Sequence, residues 1–392
     1  MNIKELFAGI CEIPSELNNL EVLGVTSDSR EVERGFVFVC IKGERFDGHS
    51  KAADALENGA AAVVTQMRLG LEREIVVGNS RKVYPNLLSA FYNHPTRSFK
   101  LCGVTGTNGK TTVANLCAEI TRTLGYRTGV IGTLGVDTGS GLSYSHDGPP
   151  TTPEPRRLYR LFAQMRDEGT EYCFIEASSQ ALAQYRFAEE KFAAAAFTNL
   201  TRDHLDYHGT MESYFEAKRQ LFDKEMCENA VVNIDDEYGK KIAEHCRENG
   251  VPCKTVSIDG EADFYTEFVK LKPDGSEFIL TDRAAKKSYP VRFSLTGKYN
   301  VANAVEAAVM VHLTGVPLDE ALAALQKING VAGRLETLYR GEFTVIRDYA
   351  HTDDGLEKLL GTLKPLTENR LITVFDAAGE RDAGKRPDMG KA

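Results

Sequence analysis

Apolar positions along the chain fall into short runs, and the spacing inside each run predicts its element. Residues 36–41, 61–65 and 75–77 are apolar and mostly β-branched, with a helical pattern over 50–59 between the first two. This predicts a small α/β unit, ending where Asn93-His94-Pro95-Thr96 interrupts the pattern. From residue 98 onward, strand-like runs at 101–105 and 172–175 alternate with helix-period segments, the signature of a mostly parallel, doubly wound sheet. Val113, Leu116, Ile120 and Leu124 share one face of a helix expected to stop at Gly125. A further unit opens near Gly333-Arg334-Leu335, with a strand predicted over 343–346, a helix over 355–363 and a strand over 371–375.

The expected class is therefore α/β with three domains: 1–97, 98–332 and 333–392. A typical domain needs roughly 100–150 residues. The last segment supplies about half of that, so an incomplete C-terminal domain is expected.

Length agrees with two or three domains, since 392 residues exceed what one core requires. A formal charge of -9, with no dense Lys/Arg block, argues against nucleic acid and anionic membranes as partners. The eight cysteines contain no C-x-x-C pair and several sit in apolar runs, as expected of a reducing compartment. Neither a signal pattern at Met1-Asn2-Ile3-Lys4-Glu5 nor a bilayer-length apolar run is present. A soluble, cytoplasmic monomer without membrane insertion is expected.

Candidate chemistry concentrates after the run 101–105. Gly106-Thr107-Asn108-Gly109-Lys110-Thr111-Thr112 joins that strand to a helix and reads as a phosphate cradle. Glycines let backbone N–H groups turn toward phosphates, Lys110 would reach the β/γ-phosphates, and Thr111 can ligate Mg²⁺. The spacing is unusual, because G-x-x-x-x-G-K-[ST] needs a glycine where Val104 stands. Glu176 follows an apolar strand, where α/β sheets place ligand groups, and a carboxylate there can hold Mg²⁺; a solvated strand end is the plainer alternative.

Residues 198–209 pack His204, His208, Asp203 and Asp206 into one loop, without the H-E-x-x-H of a zinc protease. Met211, Tyr214, Phe215, Lys218, Leu221 and Phe222 form one helical face, so Lys218 lies on an apolar stripe. Two readings stand side by side: a lysine that snorkels at the stripe edge, or a desolvated amine of lowered pKa, reactive toward CO₂. Thr151-Thr152-Pro153-Glu154 reads as a helix start capped by threonine.

Together these motifs resemble the Mur ligase family, and within it the UDP-N-acetylmuramoyl-tripeptide synthetases. The resemblance runs from Thr26-Ser27-Asp28-Ser29-Arg30 to Gly384-Lys385-Arg386-Pro387. It implies a central ATP-binding domain between a small UDP-substrate domain and a C-terminal ligase domain. It also implies ADP-forming amide synthesis through an acyl phosphate, with ATP and Mg²⁺ as cofactors. The partners implied are UDP-N-acetylmuramoyl-L-Ala-D-Glu and an amino acid, diaminopimelate or lysine.

Carried onto this sequence, residues 106–112 would hold ATP phosphates and Lys110 would act on the γ-phosphoryl. Glu176, His204, Thr111 and a carbamylated Lys218 would serve Mg²⁺. Asn300 and Asn303 match the segment near adenine, and Arg334, Asp348 and His351 match elements that close over the nucleotide. Ser29, Thr151, Thr152, Ser178, Gln184 and Arg186 match muramoyl-substrate positions, and Arg381 one near the amino acid. The chain departs from the family pattern at Gln180, Asp353 and 375–378, and it lacks the Asp-Asn-Pro-Arg motif that marks diaminopimelate-adding members. Two alternatives are a nucleotide-binding homologue without ligase activity and a folylpolyglutamate- or cyanophycin-type ligase.

Overall fold

The computed structural model of the chain describes residues 1–43, 46–140, 143–144, 151–188, 191–376 and 386–392. They group into two compact units: residues 1–99 with 153–169 and 181–190, and residues 100–152 with 170–180 and 191–392.

In the first unit, β1 (Gly24–Thr26), β2 (Phe36–Val39), β3 (Ala62–Thr65) and β4 (Glu74–Val76) form a sheet in that order. Every neighbouring pair is parallel. Parallel strands are covered on both faces, and β2 and β3 accordingly read as continuous apolar runs rather than alternating ones. The stretch expected as one helix over 50–59 is a 3₁₀ turn, Gly48–Lys51, running into a helix at Ala52–Glu57. The interruption at residues 93–96 is real: Asn93 and His94 adopt positive φ of 57° and 47°, and Pro95 opens a 3₁₀ turn.

Helix Pro155–Asp167 belongs to this unit and buries Leu158, Tyr159, Phe162 and Met165, with Phe162 against Phe99 at 5.9 Å. Its start corrects the sequence reading. Threonine does not cap it; Glu154 is the N-cap, extended at ψ 152° and without a side-chain cap bond. Steric conflict with a following proline ring drives a residue out of the α region, and both Thr152 and Glu154 precede prolines. The helix cannot begin before Pro155.

The second unit is built on an eleven-stranded sheet. Its strands are β5 (Lys100–Thr105), β6 (Thr128–Gly132), β7 (Gly135–Asp137), β8 (Ser143–Tyr144), β9 (Tyr172–Glu176) and β10 (Ala194–Phe197). The remainder are β11 (Ala230–Asn233), β12 (Cys253–Ser257), β13 (Phe264–Lys272), β14 (Gly275–Asp282) and β15 (Lys287–Phe293). Their spatial order is β15-β14-β13-β12-β11-β10-β5-β9-β6-β7-β8. The run from β13 through β12, β11, β10, β5 and β9 to β6 is parallel, and both edges are antiparallel.

After β5 the chain crosses to one side, to β6 and β9, and then returns to the other, to β10 and β11. The carboxyl end of β5 is therefore a topological switch point, where the crevice of a doubly wound sheet opens. Helix Lys110–Thr123 leaves that end and packs on helix Lys298–Leu313, where the Cys117 thiol meets the Ala307 carbonyl at 3.6 Å.

A hairpin of β16 (Glu336–Arg340) and β17 (Thr344–Arg347) follows, then helix Asp353–Leu363. The strand expected over 371–375 is absent, and residues 371–376 carry no regular structure. Val374 is 93% exposed. A strand exists through its ladder, and no neighbour among the described residues offers one. No described helix is long and apolar enough to cross a membrane.

Candidate functional site

β5 is buried and ends at Thr105, where the chain turns through Gly106 at φ 143° and Gly109 at φ 89° before entering the helix at Lys110. Only glycine adopts these angles without strain. Space imposes the same choice. A Cβ on Gly106 would run into Thr198 Oγ1, and one on Gly109 would lie 2.5 Å from Asn303 Oδ1.

The loop is braced from the end of β10. Asn199 accepts the Thr107 amide on its carbonyl at 2.8 Å and the Asn108 amide on its side chain at 3.0 Å. Gly109 caps the helix without any side-chain hydrogen bond, so the first-turn amides are left for an anion to take up.

Two lysines converge here. Lys110 Nζ donates to the carbonyls of Gly106, at 3.0 Å, and Thr107, at 2.8 Å. Lys218 Nζ donates to the same Gly106 carbonyl at 2.7 Å and lies 4.6 Å from the Tyr214 ring centre. Helix Met211–Arg219 delivers Lys218 with its aliphatic stem in the apolar stripe, and the residue is 1% exposed. It is buried outright, so the snorkelling alternative fails. Burial lowers the pKa of both lysines; for Lys218 the charge of Lys110 lowers it further, to well below the ordinary range.

Glu176 stands at the carboxyl end of β9, one strand from the loop. It accepts from Thr111 Oγ1 at 3.0 Å, the Thr133 amide at 2.7 Å and Thr133 Oγ1 at 3.1 Å. Thr133 in turn meets Thr151 Oγ1 at 3.3 Å. Behind it, the Thr152 hydroxyl donates to the Glu176 carbonyl at 2.6 Å and accepts the Ser178 amide at 3.1 Å. A chain of hydroxyls thus leads away from the phosphate loop.

His204 sits in the left-handed region at φ 53°, with its ring 3.5 Å from Asp203. Burial lowers its pKa, against the opposing pull of Asp203. His208 hydrogen-bonds Ser179 Oγ at 2.9 Å, and burial followed by the charge of Lys218 holds it at about 4.

Asn300 and Asn303 are buried on helix Lys298–Leu313. Arg334 lies 4.9 Å from the Tyr349 ring centre, and its Nε is buried without a hydrogen-bond partner. Asp348 accepts the amides of Leu335 and Ala350, each at 2.8 Å.

These groups line one cavity of about 910 Å³, to which Thr107 to Thr112, Thr151, Glu176, Ser178, His204, Lys218, Asn300, Asn303, Arg334, Asp348 and His351 all contribute. Ser29, Gln184 and Arg186 belong to the first unit. There Arg186 pairs with Glu154 at 2.6 Å and with the Gln184 side-chain oxygen at 2.9 Å, while Ser29 opens a 3₁₀ turn capped by Asp28. Arg381 lies outside the described residues. Among the described residues, no three His, Cys, Asp or Glu side chains cluster as a metal shell.

Sequence reasoning missed several residues in and around the cavity. Asp354 accepts from Asn108 Nδ2 at 2.8 Å and ties helix Asp353–Leu363 to the loop. Asp235, Asp236 and Glu306 also line the cavity. The visible signals were an Asp-Asp pair after an apolar strand, and a lone charge in the run Val-Ala-Asn-Ala-Val-Glu-Ala-Ala-Val.

A glycine-turned loop at the switch point of a parallel sheet, with an uncapped helix start and two buried lysines, defines an α/β protein built to bind a phosphorylated nucleotide. The chain belongs to the Mur ligase family and has its three-domain architecture: residues 21–93 match the Mur ligase family catalytic domain, 104–311 the middle domain and 333–392 the glutamate ligase domain.

It is 36% identical over 400 aligned residues to the UDP-N-acetylmuramoyl-L-alanyl-D-glutamate--2,6-diaminopimelate ligase of Clostridium perfringens, covering 100% of this chain and 81% of that one. It is 41% identical to the ligase of the same name from Halalkalibacterium halodurans, covering 95% and 76%. A solved structure of a ligase so named superposes with a TM-score of 0.80 at 30% identity, over 100% of this chain and 80% of the other.

Proposed function

We propose that the chain is an ADP-forming ligase that joins diaminopimelate to the terminal carboxylate of UDP-N-acetylmuramoyl-L-alanyl-D-glutamate. The observation that carries this reading is the meeting of Lys110 and Lys218 on the Gly106 carbonyl beside Glu176, at the mouth of a helix start. The relatives' printed activity supplies the substrates.

A carboxylate oxygen is a poor leaving group, so amide formation requires activation. The γ-phosphoryl of ATP passes to a carboxylate oxygen, giving an acyl phosphate and ADP. The amine then attacks the acyl carbon, loses a proton and expels inorganic phosphate.

Lys110, freed from its two carbonyl partners by the incoming phosphates, offsets charge on the moving phosphoryl group. The first-turn amides of residues 110–112 hold the phosphates in line. Ser29, Thr151, Thr152, Ser178, Gln184 and Arg186 are proposed to bind the UDP-muramoyl-dipeptide. Arg334, Asp348 and His351 are proposed to close on the nucleotide.

The donor set fits a Mg²⁺ that arrives with ATP, since Glu176 and the Thr111 hydroxyl are already paired at the loop and phosphate oxygens would complete its shell. Such an ion would neutralise phosphate charge. The lowered pKa of Lys218 leaves a neutral amine able to take up CO₂. The resulting carbamate would turn a donor into an acceptor for the ion beside His204.

The test is phosphate release with ATP, UDP-N-acetylmuramoyl-L-Ala-D-Glu and a panel of amino acids. Release that depends on both co-substrates and is highest with diaminopimelate is expected; none would sink the proposal. In the same assay Lys218→Ala is expected to lose activity at least a hundredfold, with part restored by a small added carboxylate.

A further inference from the structure

Helix Lys298–Leu313 is almost wholly apolar where it packs, yet carries one carboxyl, Glu306, which is 1% exposed. One of its oxygens accepts from Asn233 Nδ2 at 3.0 Å, at the carboxyl end of β11. The other, Oε2, is buried without a hydrogen-bond partner. An unpaired buried polar atom is costly and uncommon, and this one belongs to a residue lining the large cavity.

Position along the sheet says which part of a nucleotide would meet it. β11 lies two strands from β5, across β10, or about 10 Å at the usual strand spacing. That is the distance from a phosphate at the loop to the base of the same nucleotide.

The neighbouring charges give the same direction. The loop supplies the phosphate-binding groups, its first-turn amides and Lys110, whereas Asp235 and Asp236 neighbour Glu306 and would repel a phosphate there. Ile258, whose amide donates to Asp235 at 3.0 Å, adds apolar surface there, suited to a flat ring.

Burial, then the neighbouring Asp235 and Asp236, raise the Glu306 carboxyl to about 8, while Asn233 opposes the shift. At neutral pH it is an O–H donor beside a carbonyl acceptor. Adenine offers the complement, a ring-nitrogen acceptor next to an amino donor.

We propose that Glu306 is a base-reading residue, its neutral carboxyl donating from Oε2 to a ring nitrogen of adenine while Asn233 holds the group in place. The assignment rests on the ATP reading above and adds the residue that distinguishes the base.

Calorimetric titration of the full chain with ATP, GTP and inorganic tripolyphosphate tests it. Glu306→Leu is expected to weaken ATP about tenfold, the value of one lost hydrogen bond. Tripolyphosphate should bind that variant as it binds the parent chain, and the preference for ATP over GTP should shrink. Glu306→Gln keeps a donor beside an acceptor and is expected to bind ATP within about threefold of the parent. Unchanged ATP affinity in Glu306→Leu, equal losses for ATP and tripolyphosphate, or a Gln variant as weak as the Leu variant would each overturn the assignment and leave the ligase reading standing. A parent chain that binds neither ATP nor tripolyphosphate would overturn both.

Discussion

Glu306 also governs a stability that depends on pH. Its folded pKa of about 8 lies above the ordinary carboxyl value of 4.5, so the folded state holds more protons than the unfolded state between those values. Its contribution is complete below pH 4.5 and is lost as pH rises toward 8, by up to about 1.4 kcal/mol per pH unit. Denaturant melts from pH 5 to 8 should therefore show the parent chain losing stability relative to Glu306→Leu. Parallel curves would mean that the carboxyl titrates normally. Residues such as Gly106, Lys110 and Lys218 could be singled out from the sequence because their chemistry is unusual for their local pattern. Glu306 leaves a signal of the same kind, a lone charge in an apolar run, but its meaning depends on Asn233, which is 73 positions away.

Among the elements, the loop and its helix follow from local pattern: an apolar strand, a glycine turn, and a face of Val113, Leu116 and Ile120 that the fold buries. Helix Asp353–Leu363 is equally local, capped by Thr352, which accepts from the Gly355 amide at 3.0 Å. Its placement is not local. Asp354 meets Asn108, 246 positions away, and also takes Lys358 Nζ at 2.9 Å. Asp354→Ala should leave the helix intact but unpin it from the loop, raising KM for ATP roughly three- to tenfold. Steady-state kinetics at varied ATP would read this, and an unchanged KM would show the tether to be idle. The misread elements failed for stated reasons: two prolines delayed the helix to Pro155, and residues 371–375 have the composition of a strand but no partner.

At the scale of the molecule, every cavity group described belongs to the second unit. A ligand that binds only the folded form stabilises it by about 2.7 kcal/mol at a hundred times its Kd. For a unit of this size that is a rise of several degrees in Tm. Scanning calorimetry with and without MgATP should show it, and a transition unmoved at saturating nucleotide would contradict the nucleotide site.

The sequence by itself determined the alternation of strands and helices, the phosphate loop and the family, because these depend on neighbours within a few residues. Only the tertiary structure decided which carbonyl two lysines share, that Glu176 anchors Thr111, and that Glu306 meets Asn233. Those relations join the loop after β5 to side chains from β9, β11 and three helices, and no local spacing encodes the sheet order that brings them together.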